Sequence, residues 1–376
     1  MLKINRREFM HGAVASAGAL GTGKFGCLLD RPVRHLIFIC YGGGVRSKDV
    51  IGNVRNAPML NEIARSGILF NSDTCDTSAC HEQMFLEMLT GRHMGSGRPT
   101  APTIFEYVRK KTSSAASDFW LLQPVDTFRR QRCDNKNYSS HPDYGVRYGA
   151  ISVAVNEWCY TGKKIDQLSF MGRHVDPNLF SDAKDWGAVG DFARQARDED
   201  WFLPNISGAP CPERHLQLND CMALSIALEV LKRFAPLLIV VRLLGFDDAH
   251  GDHGYWSYKD PIEEYVDHIS ATDALIGSLW QHIQGSPYLQ VTTALLIRPD
   301  CGRNSQITMA GNLDHSHADI DVRRNWRIVA APTCSKGLIV NHPVSRLDVC
   351  ATIVHALTGT DLCNSLPEPD IASPRR

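Results

Sequence analysis

No two of the chain's twelve cysteines are spaced Cys-x-x-Cys, which argues against a zinc ribbon. The glycine turn Tyr41-Gly42-Gly43-Gly44-Val45-Arg46 is not Gly-x-Gly-x-x-Gly, so a dinucleotide fingerprint is also missing. An excess of charge of either sign is lacking: 40 Lys and Arg stand against 41 Asp and Glu, for a net charge of −1. That balance leaves no global field for nucleic acid or an anionic membrane. Basic pairs such as Lys110-Lys111 and Arg129-Arg130 are short and read as solvated helix ends. There is no internal repeat and no low-complexity tract. The weakly apolar stretch from Gly12 to Gly23 is too short to span a bilayer, so no stable membrane span is expected.

What is present is an ordinary soluble globular composition, 43% hydrophobic and 22% charged. The 376 residues suit one large α/β domain or two smaller ones. Asn5-Arg6-Arg7-Glu8-Phe9-Met10 resembles the twin-arginine export motif, and a Gly/Ala-rich stretch follows it. Residues 1–30 are therefore expected to be an export signal, with the twin-arginine translocase as partner and a periplasmic or extracellular destination. That route carries folded proteins, which suits one that acquires metal before leaving. Lys24-Phe25-Gly26 before Cys27 is a poor lipobox. An oxidising destination permits disulfides, but their connectivity does not follow from the sequence. Cys40, Cys221 and Cys350 lie in apolar runs and read as core residues.

Strand-like and helix-like segments alternate along the chain. Apolar β-type runs fall at 35–40, from 68, and at 119–122, 237–244, 291–297 and 326–331. Helical spacing marks 58–67, 81–89, 103–111, 216–234, 261–284 and 347–357. Pro58 near a start and Gly67 and Gly359 as stops fit helix ends. Asp273 sits on the apolar face of the 261–284 helix, where a buried capping or bridging role is expected. The alternation predicts an α/β fold: a doubly wound, mostly parallel sheet with helices on both faces. Residues 33–360 are expected to form a single domain, followed by a tail over 361–376. Residues 129–212 carry many Asp, Asn, Gly and aromatic residues. They are read as an irregular insertion or cap that shapes substrate access.

Chemistry concentrates in three clusters: Asp247-Asp248-Ala249-His250-Gly251-Asp252-His253, Asp300-Cys301-Gly302-Arg303 and Asp314-His315-Ser316-His317. The first two follow apolar strand-like runs, and ligands in open α/β sheets bind beyond the carboxyl ends of strands. Imidazole, carboxylate and thiolate are the groups that hold transition metals. One site assembled from distant segments is the expectation.

These pieces together resemble the alkaline phosphatase superfamily of sulfatases, nucleotide pyrophosphatase/phosphodiesterases and relatives. The resemblance covers about 35–110 and 235–360, including Leu89-Thr90-Gly91-Arg92 and Ser345-Arg346-Leu347-Asp348. It implies an alkaline-phosphatase-like fold with metals at the strand ends and a nucleophile that attacks a phosphate or sulfate ester. Carried over, one metal site uses Asp247, His250 and His315, with Asp248, His253 and His317 as close competitors. The second uses Asp300 and Cys301, the thiolate standing where the family has His. The family's Asp after the first strand is replaced by Tyr41 or Gly42. The nucleophile position falls on His81, with Ser78 and Thr77 a few residues earlier; a histidine there is a phosphoryl acceptor or general base. Cys80 lacks the Pro and Arg that a formylglycine signal needs. Arg46, Arg92 and above all Arg303 are candidate oxyanion clamps. The implied cofactor is one or two divalent ions, zinc first, manganese or iron as alternatives. The expected activity is that of an exported metal-dependent hydrolase acting on a small anionic ester. The alternative is a degenerate member that binds an anionic ligand or partner without turnover.

Overall fold

A computed structural model describes residues 32–74, 80–93, 101–124, 150–154, 169–170, 173–174, 215–249, 261–306, 313–315 and 319–360. The export-like segment and the C-terminal tail lie outside these residues. The elements in chain order begin with β1 (His35–Tyr41), α1 (Ser47–Val50), α2 (Pro58–Ser66), β2 (Ile68–Thr74), α3 (His81–Thr90) and α4 (Ile104–Thr112). Then come β3 (Phe119–Gln123), β4 (Ile151–Ala154), β5 (Ser169–Phe170), β6 (Arg173–His174), α5 (His215–Phe234), β7 (Leu238–Leu243) and α6 (Pro261–Gly285). The last are α7 (Pro287–Thr292), β8 (Thr293–Pro299), α8 (Ile320–Arg323), β9 (Arg324–Ala330), β10 (Leu338–Val340), β11 (Val344–Ser345) and α9 (Asp348–Thr358).

Among the described residues, the strands form one 11-stranded sheet in the order β10-β2-β9-β8-β1-β7-β3-β4-β5-β6, with β11 on β2. β1 lies between β7 and β8, parallel to both. The central strands are buried on both faces, so their side chains alternate between two apolar layers. Ile37, Ile39 and Tyr41 of β1, Val241 and Leu243 of β7 and Ile297 of β8 pack on the α5/α6 side. Leu36, Phe38 and Cys40 of β1, Val240 of β7 and Leu296 of β8 pack with α3, α4 and α9. Helices thus cover both faces, as the sequence predicts.

Three details depart from the sequence pattern. β9 runs antiparallel to both β8 and β2. The chain after β8 turns back at the sheet's carboxyl edge, and an antiparallel partner needs no crossover helix. The 291–297 run does not start as a strand. Pro287 opens α7 and the Ser286 side chain accepts from the Leu289 N–H, so Val291 is helical and exposed and the strand begins at Thr293. Within 129–212, the described residues include β4, β5 and β6, which extend the sheet beyond β3.

Two buried carboxylates set the frame. Asp273 of α6 accepts from the Met59 and Leu60 N–H groups at 3.0 and 2.7 Å, capping α2, which has no side-chain cap of its own. Asp73 of β2 meets two guanidiniums, Arg298 at 3.0 Å and Arg327 at 2.9 Å. The registers place Arg242, Cys40 and Arg298 side by side on β7, β1 and β8, all on the α3 side of the sheet. Arg242 lies over the Phe85 ring of α3 at 4.9 Å, and Arg346 pairs with the fully buried Glu87. A layer of buried arginine–carboxylate pairs therefore underlies the carboxyl end of the sheet.

His35, at the opposite end of β1, gives a pH test of the fold. Its Nδ1 meets the Pro236 carbonyl at 2.9 Å and its Nε2 the Tyr288 hydroxyl at 3.0 Å. Burial pulls its pKa below the ordinary histidine value, and the neighbouring Arg34 charge adds to this against the Pro236 hydrogen bond. Neutral His35 thus contributes stability that is fully present above about pH 6.5, the unfolded value, and is lost as pH falls through the folded value. Urea unfolding of the wild type and His35→Gln at pH 7.5 and 5 should show the gap between them narrowing at the lower pH. A gap that widens would contradict this assignment.

Candidate metal and catalytic site

The site begins where three parallel strands stop. The Gly42 N–H donates to the Leu243 carbonyl of β7 at 2.7 Å, and the Asp300 N–H donates to the Tyr41 carbonyl of β1 at 2.9 Å. The loops after β1, β7 and β8 are thereby pulled together. Only glycine fits between them. A Cβ on Gly43 (φ +94°) would lie 2.2 Å from the Asp247 nitrogen, and one on Gly44 (φ +81°) would lie 2.6 Å from the Gly302 carbonyl oxygen.

Asp300 lies at the centre of this junction, fully buried. Its Oδ1 accepts from Cys301 N–H at 2.7 Å and Gly44 N–H at 3.2 Å, and its Oδ2 from Gly43 N–H at 3.3 Å. The same Oδ2 is 2.7 Å from His81 Nδ1. His81 is the first residue of α3, so the positive end of that helix faces the carboxylates. On its far side, His81 Nε2 is 2.8 Å from His315 Nε2 and 3.1 Å from Asp247 Oδ1. The two imidazole rings meet edge to face at 4.5 Å. His315 Nε2 is 3.9 Å from Asp247 Oδ1.

The electrostatics favour a cation here. Burial lowers the His81 pKa, but the Asp300 charge and hydrogen bonds to Asp247, Asp300 and Cys301 outweigh it and hold the imidazole well above its usual range. Burial raises the Asp300 pKa, yet His81 and Arg242 bring it below the ordinary carboxylate range. Among the described residues, two groups of side chains fit a metal: His81, Asp247 and His315, and His81, Asp300 and Cys301, each with ligand atoms within 4.8 Å of one another. Imidazole, carboxylate and thiolate form a donor set that suits zinc, with manganese or iron served by the nitrogen and oxygen donors.

The structure thus brings together five of the eight predicted site residues, namely His81, Asp247, Asp300, Cys301 and His315. His250 and Ser78 lie outside the described residues, as do Thr77, His253, His317 and the side chain of Asp248. Arg303, the eighth, lies next to the site with its guanidinium turned to backbone. It donates to the carbonyls of Gly44, Gly43, Phe246 and Leu313, and so ties the β1, β7 and His315 segments to one another. Arg46 pairs with Asp49 at 3.1 Å, and Arg92 lies past the far end of α3, which rises roughly 14 Å from His81 to Thr90. Tyr41 points away from the site, with its hydroxyl toward Thr272 in the α6 layer.

Sequence reasoning missed Asp220 and His268. Asp220, fully buried on α5, accepts from the Leu244 and Gly245 N–H groups, both at 2.7 Å, and from His268 Nε2 at 2.9 Å. His268 lies against the Phe246 ring at 4.3 Å. The pair fixes the turn that presents Asp247. The available signal was an acid and a histidine, each among apolar neighbours on a helix.

No family model matches the chain and no curated protein matches it. Solved structures do. A sulfatase from Pseudoalteromonas sp., PsFucS1, superposes with TM-score 0.54 at 14% identity, covering 97% of this chain and 74% of that one. The chain has an alkaline-phosphatase-like, sulfatase-type fold. The phosphonate monoester hydrolase SpPMH from Silicibacter pomeroyi superposes with TM-score 0.50 at 13% identity, covering 86% of this chain and 73% of that one. In this sulfatase-type fold, the metal-fitting residues occupy the carboxyl ends of β7 and β8, the start of α3 and the 313–315 segment.

Proposed function

We propose that the chain is an exported, metal-dependent hydrolase of phosphate or sulfate esters. The observation that carries this reading is the convergence of His81, Asp247, Asp300, Cys301 and His315 at the strand ends of a sulfatase-type fold. The neighbours named above are a sulfatase and a phosphonate monoester hydrolase. The twin-arginine-like segment supports export, and among the described residues no helix is long and apolar enough to cross a membrane.

A divalent metal, zinc by donor type, would be held by Asp247 and His315, with His250 as the third ligand implied by the resemblance. The resemblance implies a second ion at Asp300 and Cys301, but Asp300 is already engaged by three backbone N–H groups and His81 Nδ1. When bound, the metal supplies a Lewis acid that polarises the ester's non-bridging oxygens. The chain's own residues do the positioning. Asp220 and Arg303 fix the loops that carry Asp247 and His315. The positive end of α3 favours an anionic group above it. Ser78 is a candidate nucleophile from the segment before α3, and residues 129–212 are the candidate substrate-access insertion. A second reading, anion binding without turnover, draws on Tyr41 and Gly42 where the resemblance expects Asp.

The test is hydrolysis of p-nitrophenyl phosphate, bis-p-nitrophenyl phosphate, p-nitrophenyl sulfate and a phosphonate monoester, before and after chelation. Turnover of at least one ester, lost with chelator and restored by zinc or manganese, is expected. Turnover indifferent to chelation contradicts metal dependence. Metal binding with no turnover of any ester favours the second reading.

A further inference from the structure

We propose that His81 is a metal ligand through Nε2, at the position where the resemblance places the nucleophile, and that Asp300 is its positioning residue. This inference rests on the metal-dependent reading above and assigns the roles within it.

The three ligand atoms are spaced to share one ion. His81 Nε2, His315 Nε2 and Asp247 Oδ1 are separated by 2.8, 3.1 and 3.9 Å. These values bracket the edge of a tetrahedron with bonds of 2.0–2.1 Å, which is ~3.3–3.4 Å. Two imidazole nitrogens at 2.8 Å form either a hydrogen bond or two donors to one ion. With an adjacent carboxylate, the trio supplies three ligands to one zinc ion.

Asp300 behind the His81 ring is fully occupied. A carboxylate has about four lone-pair positions. Asp300 uses them on the N–H groups of Gly44 and Cys301, on His81 Nδ1 and on the Gly43 N–H, which it shares with His81 Nδ1 at 3.3 Å. It is saturated by protein donors and has no direction left for an ion. What it does instead is hold the Nδ1–H, which leaves the Nε2 lone pair facing Asp247 and His315. A carboxylate behind a ligating histidine fixes the tautomer and raises the ligand's basicity.

The same contacts remove His81 from covalent chemistry. A histidine that accepts a phosphoryl group needs a ring lone pair open to the ester. His81 is only 6% exposed, with Nδ1 at 2.7 Å from a carboxylate and Nε2 at 2.8 Å from a second imidazole. Neither nitrogen is available, so position 81 forms no phosphohistidine intermediate.

The test is cobalt(II) titration of the full chain, its His81→Ala and its Asp300→Asn, each first checked for folding by circular dichroism. The wild type is expected to bind with the visible spectrum of a four-coordinate nitrogen/oxygen site and no thiolate-to-cobalt charge-transfer band. His81→Ala is expected to lose at least 100-fold in affinity, and Asp300→Asn about 10–100-fold with the spectrum kept. Cobalt binding by His81→Ala with unchanged affinity and spectrum overturns the proposal. So does a charge-transfer band in the wild type, which keeps the test alive if His81→Ala fails to fold. A phosphorylated His81 peptide after quenching a turnover mixture overturns it too. A wild type that shows the expected cobalt signature but hydrolyses no ester sinks the hydrolase reading and leaves this assignment standing.

Discussion

Gly43→Ala is expected to reduce ester hydrolysis on the order of 100-fold while leaving the chain folded. The added Cβ would lie 2.2 Å from the Asp247 backbone nitrogen and 2.7 Å from the Phe246 carbonyl carbon. Neither atom belongs to a flexible side chain, so the β7 loop must retreat by nearly an ångström. A displacement of about 1 Å in a positioning element costs roughly 100-fold in rate. The loop that moves carries Asp247, which faces both His81 and His315. Gly52→Ala separates collision from backbone strain. Gly52 has a similar positive φ (+79°), but nothing lies within 4 Å of its built Cβ. It is expected to cost about 1 kcal/mol of stability and to leave hydrolysis alone. Equal activity losses in the two variants would refute the steric account.

Asp73→Ala is expected to destabilise the fold by about 3–5 kcal/mol, the cost of removing one partner from a buried ion pair. Asp73 is fully buried, and its Oδ2 serves Arg298 on β8 and Arg327 on β9 together. Its loss leaves two buried guanidiniums without their shared counter-charge. Urea unfolding with an unchanged m-value reads the effect directly. Arg298 is two residues before Asp300 on the same strand end, so a fall in metal affinity should accompany the loss. A change below about 1 kcal/mol would mean that the arginine layer is held by other contacts.

Much of this fold is legible in the sequence, because the central strands are continuous apolar runs and the helices carry Pro and Gly at their ends. Asp273 was readable as a cap because an acid on an apolar helix face needs a buried donor, and the α2 N–H groups supply it. The three clusters were readable as one site because strand ends gather in a parallel sheet. The start of β8 was not readable, since Val291 continues the apolar pattern of the strand although Ser286-Pro287 turns it into a helix. The direction of β9 depends on where the preceding loop re-enters the sheet, which periodicity does not encode. Asp73 and its arginines were hidden because their partners are more than 200 residues away. Counting back from Thr90-Gly91-Arg92 located His81 at a helix start. That count says nothing of Asp300 behind its ring or His315 before it, and those two contacts define what His81 is able to do.

The strand ends are expected to hold a metal. The most direct measurement is elemental analysis of the full chain, purified after folding in the cytoplasm and passed through a desalting column. The account predicts at least one equivalent of zinc, manganese or iron per chain. It also predicts loss of that metal in a His315→Ala variant that stays folded. A metal-free chain that takes up neither zinc, manganese nor iron on reloading would contradict it.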